Sequence, residues 1–140
     1  MLRHILISVC LISILGACLQ QEAAKPSEIT LEEVEAVLIE KGFILKKPAI
    51  LTSENVFIQE LNGITPRVYS LEGNTLSIYV FPSSTERSEG IQEFDEKTAT
   101  MELIEHKAYG ISNALMFYVS DEEKKQKDLF ETLILLDTPE

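Results

Sequence analysis

The chain has 140 residues, with 12 lysines and arginines against 23 aspartates and glutamates, for a net charge of −11. A surface this acidic is repelled by phosphate backbones and anionic headgroups, which argues against nucleic acid and leaves cations, basic peptides and protein partners open. Both cysteines, Cys10 and Cys18, lie near the start of the chain, so the remainder has none to pair and must stand on hydrophobic packing.

Met1-Leu2-Arg3-His4 supplies a positive charge and an apolar run follows from Ile5, the order of n-region and h-region in an export signal. A membrane-spanning anchor is the competing reading. As a helix, residues 5–19 would reach only about 22 Å, against a bilayer core about 30 Å thick. Ser8, Ser13 and Gly16 weaken the spanning case further.

The run closes on Leu15-Gly16-Ala17-Cys18. This resembles the lipobox of bacterial lipoproteins: an aliphatic residue, two small ones, then cysteine. The resemblance implies that diacylglycerol is joined to the Cys18 sulfur and that the peptide is cut before it. Cys18 then becomes the first residue of a chain held on the extracytoplasmic face of the cell membrane, with a further acyl chain such as palmitate on its amine. One acyl chain anchors marginally and two or more hold firmly. Losing residues 1–17 removes Arg3 and leaves about 120 residues, enough for one packed domain and not two. The expected layout is a signal peptide at 1–17, lipidated cysteine and tether at 18–27, and a single domain at 28–140.

Residues 19–25 are polar and precede Pro26, as a short tether would. Thr30-Leu-Glu-Glu33 is a capping box. Leu31, Val34, Val37 and Leu38 then share one helical face, with Gly42 as the stop, which predicts a helix over 31–41. Phe43-Ile44-Leu45 reads as the start of a strand that Lys46-Lys47-Pro48 interrupts. A second extended run is expected over 55–61, ended by Asn62-Gly63 and Pro66.

Residues 67–71 and 75–81 read as strands joined by Glu72-Gly73-Asn74, a hairpin signal. A helix opened by Ser83-Ser-Thr-Glu86 follows, carrying Ile91 and Phe94 inward. The plan then repeats, with strands over 101–109 and 114–119 around Gly110-Ile-Ser-Asn113. Ser120-Asp-Glu-Glu123 is a second capping box, opening a helix whose apolar side is Leu129, Phe130, Leu133, Ile134 and Leu136. NTLSIYV from Asn74 lies over NALMFYV from Asn113. The match reads either as a duplicated ββα unit or as the convergence that β propensity produces. Both readings give an α+β fold: a mainly antiparallel sheet from two ββα units plus an N-terminal helix. This plan, with its excess of lysine over arginine, is also similar to small lipoproteins of Gram-positive, endospore-forming bacteria.

The period-two rule sorts the strands into faces. Leu76, Ile78 and Val80 with Leu115, Phe117 and Val119 make an apolar face for the helices to cover. The opposite face carries Ser77, Tyr79 and Phe81 with Ala114, Met116 and Tyr118. Its tyrosines and methionine, Tyr79, Met116 and Tyr118, form a candidate binding face, since such side chains are enriched at interfaces. The competing reading is that segment 43–61 covers them and they are core.

No catalytic residue, metal ligand set or cofactor motif stands out. His106 is the one histidine beyond the signal. On the expected strand it lies about 13 Å from Glu102, at roughly 3.3 Å per residue, too far to share an ion. Gly110-Ile-Ser112 lacks the second glycine and the strand-to-helix setting of a nucleophile elbow. Glu86, Glu89, Glu93, Asp95 and Glu96 lack calcium-loop spacing and suit a solvated helix side. Glu123 with Lys127, and Lys124 with Asp128, are helix-surface pairs. The expected function is a non-enzymatic, membrane-tethered binding or accessory module, its partner an envelope protein or peptide. An envelope hydrolase using His106 and a structural or assembly lipoprotein are the alternatives.

Overall fold

The computed structural model describes residues 28–137; the expected signal peptide, Cys18 and the expected tether lie outside the described residues. The fold is α+β. Among the described residues three α-helices, α1 (Leu31–Glu40), α2 (Ser84–Thr98) and α3 (Glu123–Leu133), accompany five strands. The strands are β1 (Leu45–Lys46), β2 (Arg67–Leu71), β3 (Asn74–Val80), β4 (Lys107–Ile111) and β5 (Ala114–Tyr118). They form one sheet in the order β1-β2-β3-β5-β4, antiparallel throughout.

Local chemistry starts the helices. Thr30 Oγ1 accepts the Glu33 amide while the Glu33 carboxylate accepts the Thr30 amide at 2.7 Å, so two free donors of the first turn are satisfied. Ser83 Oγ likewise accepts the Glu86 amide at the start of α2. The capping box expected at α3 does not form. Ser120 Oγ accepts the Glu122 amide, Glu122 is the cap residue but its side chain makes no capping bond, and Gln126 donates back to the Ser120 carbonyl.

Both hairpins turn on two residues. Glu72 (φ 51°) and Gly73 (φ 83°) are both left-handed, the pairing of a type I′ turn that matches strand twist. In the second hairpin Ser112 is left-handed (φ 51°) and Asn113 is not, and Gly110 and Ile111 belong to β4 rather than to the turn. The letter match is therefore one residue out of step with the hairpins. Asn74 opens β3 opposite Leu71, whereas Asn113 lies inside its turn. Matching letters fall on opposite faces, and α2 and α3 pack on opposite sides of the sheet.

Register corrects the expected faces. Leu76 pairs with Tyr118, Ile78 with Met116 and Val80 with Ala114, so these share a face with Tyr109 and Ile111. Val34 and Leu38 of α1 and Leu129 and Leu133 of α3 cover that face. Tyr79 and Phe81 share the other face with Leu115 and Phe117, under Phe94 of α2 and under Phe57 and Leu61. The expected strand over 55–61 is instead a capped 3₁₀ turn, Val56–Ile58, whose Asn55 side chain accepts the Phe57 amide. It lays Phe57 onto the sheet, and neither face is wet. Where α2 crosses Phe81, Gly90 is required: a Cβ there would come within 2.5 Å of the ring.

The chain also enters the sheet through a side chain. Asn113, buried in the second turn, donates to the carbonyls of Ile29 (2.9 Å) and Phe81 (2.8 Å) and accepts the Ile29 amide (2.6 Å).

Candidate functional site

The residues proposed from sequence as a binding face are not brought together. Met116 and Tyr118 lie on the α1–α3 side of the sheet and Tyr79 on the α2 side, and all three are buried. Tyr79 donates to the Gln59 carbonyl at 2.6 Å, and burial pushes its phenol well above the ordinary range. Tyr118 accepts from the Asn74 amide. These are core positions, because the 3₁₀ turn and α2 close one face while α1 and α3 close the other.

Nor does His106 sit on a strand. β4 begins at Lys107, and the His106 ring lies 4.7 Å from that of Phe57 and 6.3 to 6.4 Å from those of Phe94 and Phe117. Its Nδ1 contacts the Ile104 carbonyl at 2.8 Å. The ring thus caps the aromatic cluster under α2, and among the described residues no carboxylate hydrogen-bonds to it. No group of three metal-ligating side chains occurs among the described residues.

The opening in the fold lies at the β4 edge. The Phe81 amide bonds to the Asn113 carbonyl and the Val119 amide to the Thr75 carbonyl, so odd-numbered residues of β5 face β3 and even-numbered ones face β4. Their partners Lys107, Tyr109 and Ile111 take up the β4–β5 bonds. By antiparallel alternation, the main-chain groups of Ala108 and Gly110 point outward from the sheet. Both residues are exposed, and among the described residues no strand pairs with this side.

A groove of about 870 Å³ follows this edge on the α3 side, lined by Tyr109, Ile111, Gln126 and Phe130 and rimmed by Glu105, Lys107, Asp121, Glu123 and Lys127. Its apolar floor is ordered. Tyr109 donates to the Gln126 carbonyl at 2.9 Å and stacks on Phe130 at 6.1 Å, and burial, then the neighbouring Tyr118, pushes its phenol up to about 12. Phe130, expected in the core, is 48% exposed. On the rim, Lys127 pairs with Glu131 at 3.7 Å. Glu105, Asp121 and Glu123 have no ion-pair partner among the described residues, so the α3 rim carries uncompensated negative charge. On the α2 side Arg87 lies over Gly110, where an added Cβ would come within 2.6 Å of its Nη1.

Native sheets blunt their edges with prolines, charges or very short strands. The β1 edge follows that rule, with two residues in the strand and Lys46-Lys47-Pro48 across it. The β4 edge does not. The bare Ala108 and Gly110 faces alternate with buried Tyr109 and Ile111 along the strand, a pattern visible in the sequence, although edge position is not. Among the described residues no helix is long and apolar enough to cross a membrane. No family model matches the chain, and no curated protein or solved structure matches it.

Proposed function

We propose that the protein is a lipid-anchored extracytoplasmic accessory lipoprotein that holds an extended segment of an envelope protein as an added strand along β4. What supports the anchor is the export signal ending in Leu15-Gly16-Ala17-Cys18. The single observation that carries the binding half is the β4 edge, unpaired among the described residues, with the outward main chain of Ala108 and Gly110 beside an open groove floored by Tyr109 and Phe130. In strand addition, main-chain hydrogen bonds give affinity and alternate side chains give specificity. The guest's α3-side residues meet Phe130 and the acidic rim, which selects an apolar residue flanked by lysine or arginine. Its α2-side residues meet Arg87, which selects a carboxylate.

The test is photo-crosslinking in intact cells from an exposed position beside the edge, Lys127, in the wild type and in Ala108→Pro. Proline removes an amide that β5 does not use, so the fold is kept. The reading requires a specific adduct that disappears with Ala108→Pro while the circular dichroism spectrum and Tm hold. An adduct that persists in Ala108→Pro defeats the strand-addition reading. Mass spectrometry of the membrane-purified chain tests the anchor separately: a diacylglycerol-bearing peptide starting at Cys18 is expected, and an unmodified Cys18 defeats it.

A further inference from the structure

The opposite edge of the sheet carries a second surface of different chemistry. Between Gly42 and Ser53 the chain has no acidic residue, although its net charge is −11. Within this stretch Ile44 is 68% exposed, Ile50 82% and Leu51 52%. Leu45 of β1 packs inward against the core, while its chain neighbours Ile44 and Lys46 are exposed. Lys46 and Lys47 are exposed and have no ion-pair partner among the described residues. Large aliphatic side chains left in water beside unpaired lysines match the chemistry of an anionic bilayer surface, where apolar groups enter the headgroup–acyl boundary and cations meet lipid phosphates.

We infer that the β1 edge docks on an anionic bilayer, with Ile44, Ile50 and Leu51 inserted and Lys46 and Lys47 against the phosphates. The inference rests on the lipoprotein reading for bringing the domain to a membrane. The overall negative charge opposes docking only at short range, because charges are screened over about 8 Å at physiological salt. The acidic groups of the β4 rim lie across the sheet, whose four interstrand spacings amount to roughly 19 Å. Since β1 and β4 are opposite edges, docking through β1 turns the β4 groove away from the lipid and toward envelope partners. The surface therefore sets orientation, which a lipid anchor alone leaves free.

The chain contains no tryptophan, so Ile50→Trp installs a single reporter. The full chain, purified from membranes, is reconstituted into vesicles of phosphatidylcholine alone or with phosphatidylglycerol, with and without brominated acyl chains. Trp at 50 is expected to shift to the blue and be quenched by brominated lipid in the phosphatidylglycerol vesicles, whereas Phe130→Trp stays unquenched. Lys46→Gln and Lys47→Gln should each weaken the docking equilibrium by roughly fivefold. Leu51→Trp serves as a second reporter if Ile50→Trp perturbs the circular dichroism spectrum. An unquenched reporter in chains that remain with the vesicles overturns the docking while leaving the anchor intact. Quenching that ignores both phosphatidylglycerol and the lysine changes overturns the electrostatic part, and a blue shift without bromine quenching assigns the patch to a protein contact instead. An unmodified Cys18 defeats the anchor alone, and quenching on added phosphatidylglycerol vesicles then still decides the docking.

Discussion

Asn113 makes, through its side chain, the paired bonds that a neighbouring strand would make to Ile29: its amide nitrogen donates to the Ile29 carbonyl and its oxygen accepts the Ile29 amide. A third bond, to the Phe81 carbonyl, fastens the same amide to the end of β3. The chain entry, the second hairpin and the exit of β3 are thus joined at one buried group.

Removing that amide leaves several buried main-chain groups without partners at once. Asn113→Ala should lower stability by roughly 3 kcal/mol, since each buried orphan costs about 1 kcal/mol or more. Asn74→Ala, which loses only a 3.3 Å bond to the Tyr118 hydroxyl, should cost under about 1 kcal/mol. Urea denaturation of the two variants measures the contrast, and equal costs would dismiss the role given to Asn113.

At Gly90 two effects oppose each other. Alanine gains about 1 kcal/mol of helix propensity. The added Cβ meets the buried Phe81 ring at 2.5 Å, and overpacking of that kind costs about 1–3 kcal/mol. Net destabilisation is expected for Gly90→Ala, turning to neutral or better when Phe81→Leu makes room. A double-mutant cycle by thermal denaturation reads the coupling.

Tyrosine ionisation sets the alkaline limit. Tyr69 and Tyr109 are each raised from 10.0 to about 12, first by burial and, for Tyr69, then by donating to the Glu35 carboxylate. Tyr79 is raised further by burial. A raised pKa means the fold holds the neutral phenol. That contribution is complete below the unfolded value near pH 10 and is lost as pH climbs through 12. Absorbance at 295 nm should show phenolate formation lagging that of the urea-unfolded chain, with loss of far-ultraviolet dichroism above about pH 10–12. Ordinary titration of Tyr69, Tyr79 and Tyr109 in the folded chain would contradict this.

The two phenylalanines Phe117 and Phe130 should behave oppositely. Phe117 is fully buried among Phe57, Tyr79 and Phe94, so Phe117→Ala should cost about 3–5 kcal/mol. Phe130 stacks on Tyr109 from the open side of the groove, and Phe130→Ala should cost about 1 kcal/mol or less. The crosslinked adduct at the β4 edge should nonetheless weaken with Phe130→Ala.

Ser77 offers a change in the stabilising direction. Its hydroxyl is buried in β3 without a hydrogen-bond partner among the described residues. Removing an unsatisfied buried hydroxyl removes a desolvation cost, so Ser77→Ala should raise stability by about 1 kcal/mol in urea denaturation.

Much of this molecule is written locally. Thr30 and Glu33 cap α1 because three residues separate a hydroxyl from a carboxylate, and Glu72-Gly73 turns because glycine accepts the left-handed backbone. Those signals act over a few residues, so the helices, the hairpins and the α+β class follow from sequence. Register does not. A slip of one residue exchanges every side chain between faces, and only the β3–β5 pairing decided that Leu76 sits beside Tyr118 while Tyr79 turns to the other side. The same long-range choice closed both faces, putting Phe57 and α2 over one and α1 and α3 over the other, and it buried the tyrosines that sequence had offered as a binding surface. It also decided which strands lie at the edges, leaving the main chain of Ala108 and Gly110 open at β4 and Ile44, Lys46 and Ile50 exposed at β1. Edge position is a property of strand order, which is set by contacts between residues far apart in the chain, and no local pattern encodes it.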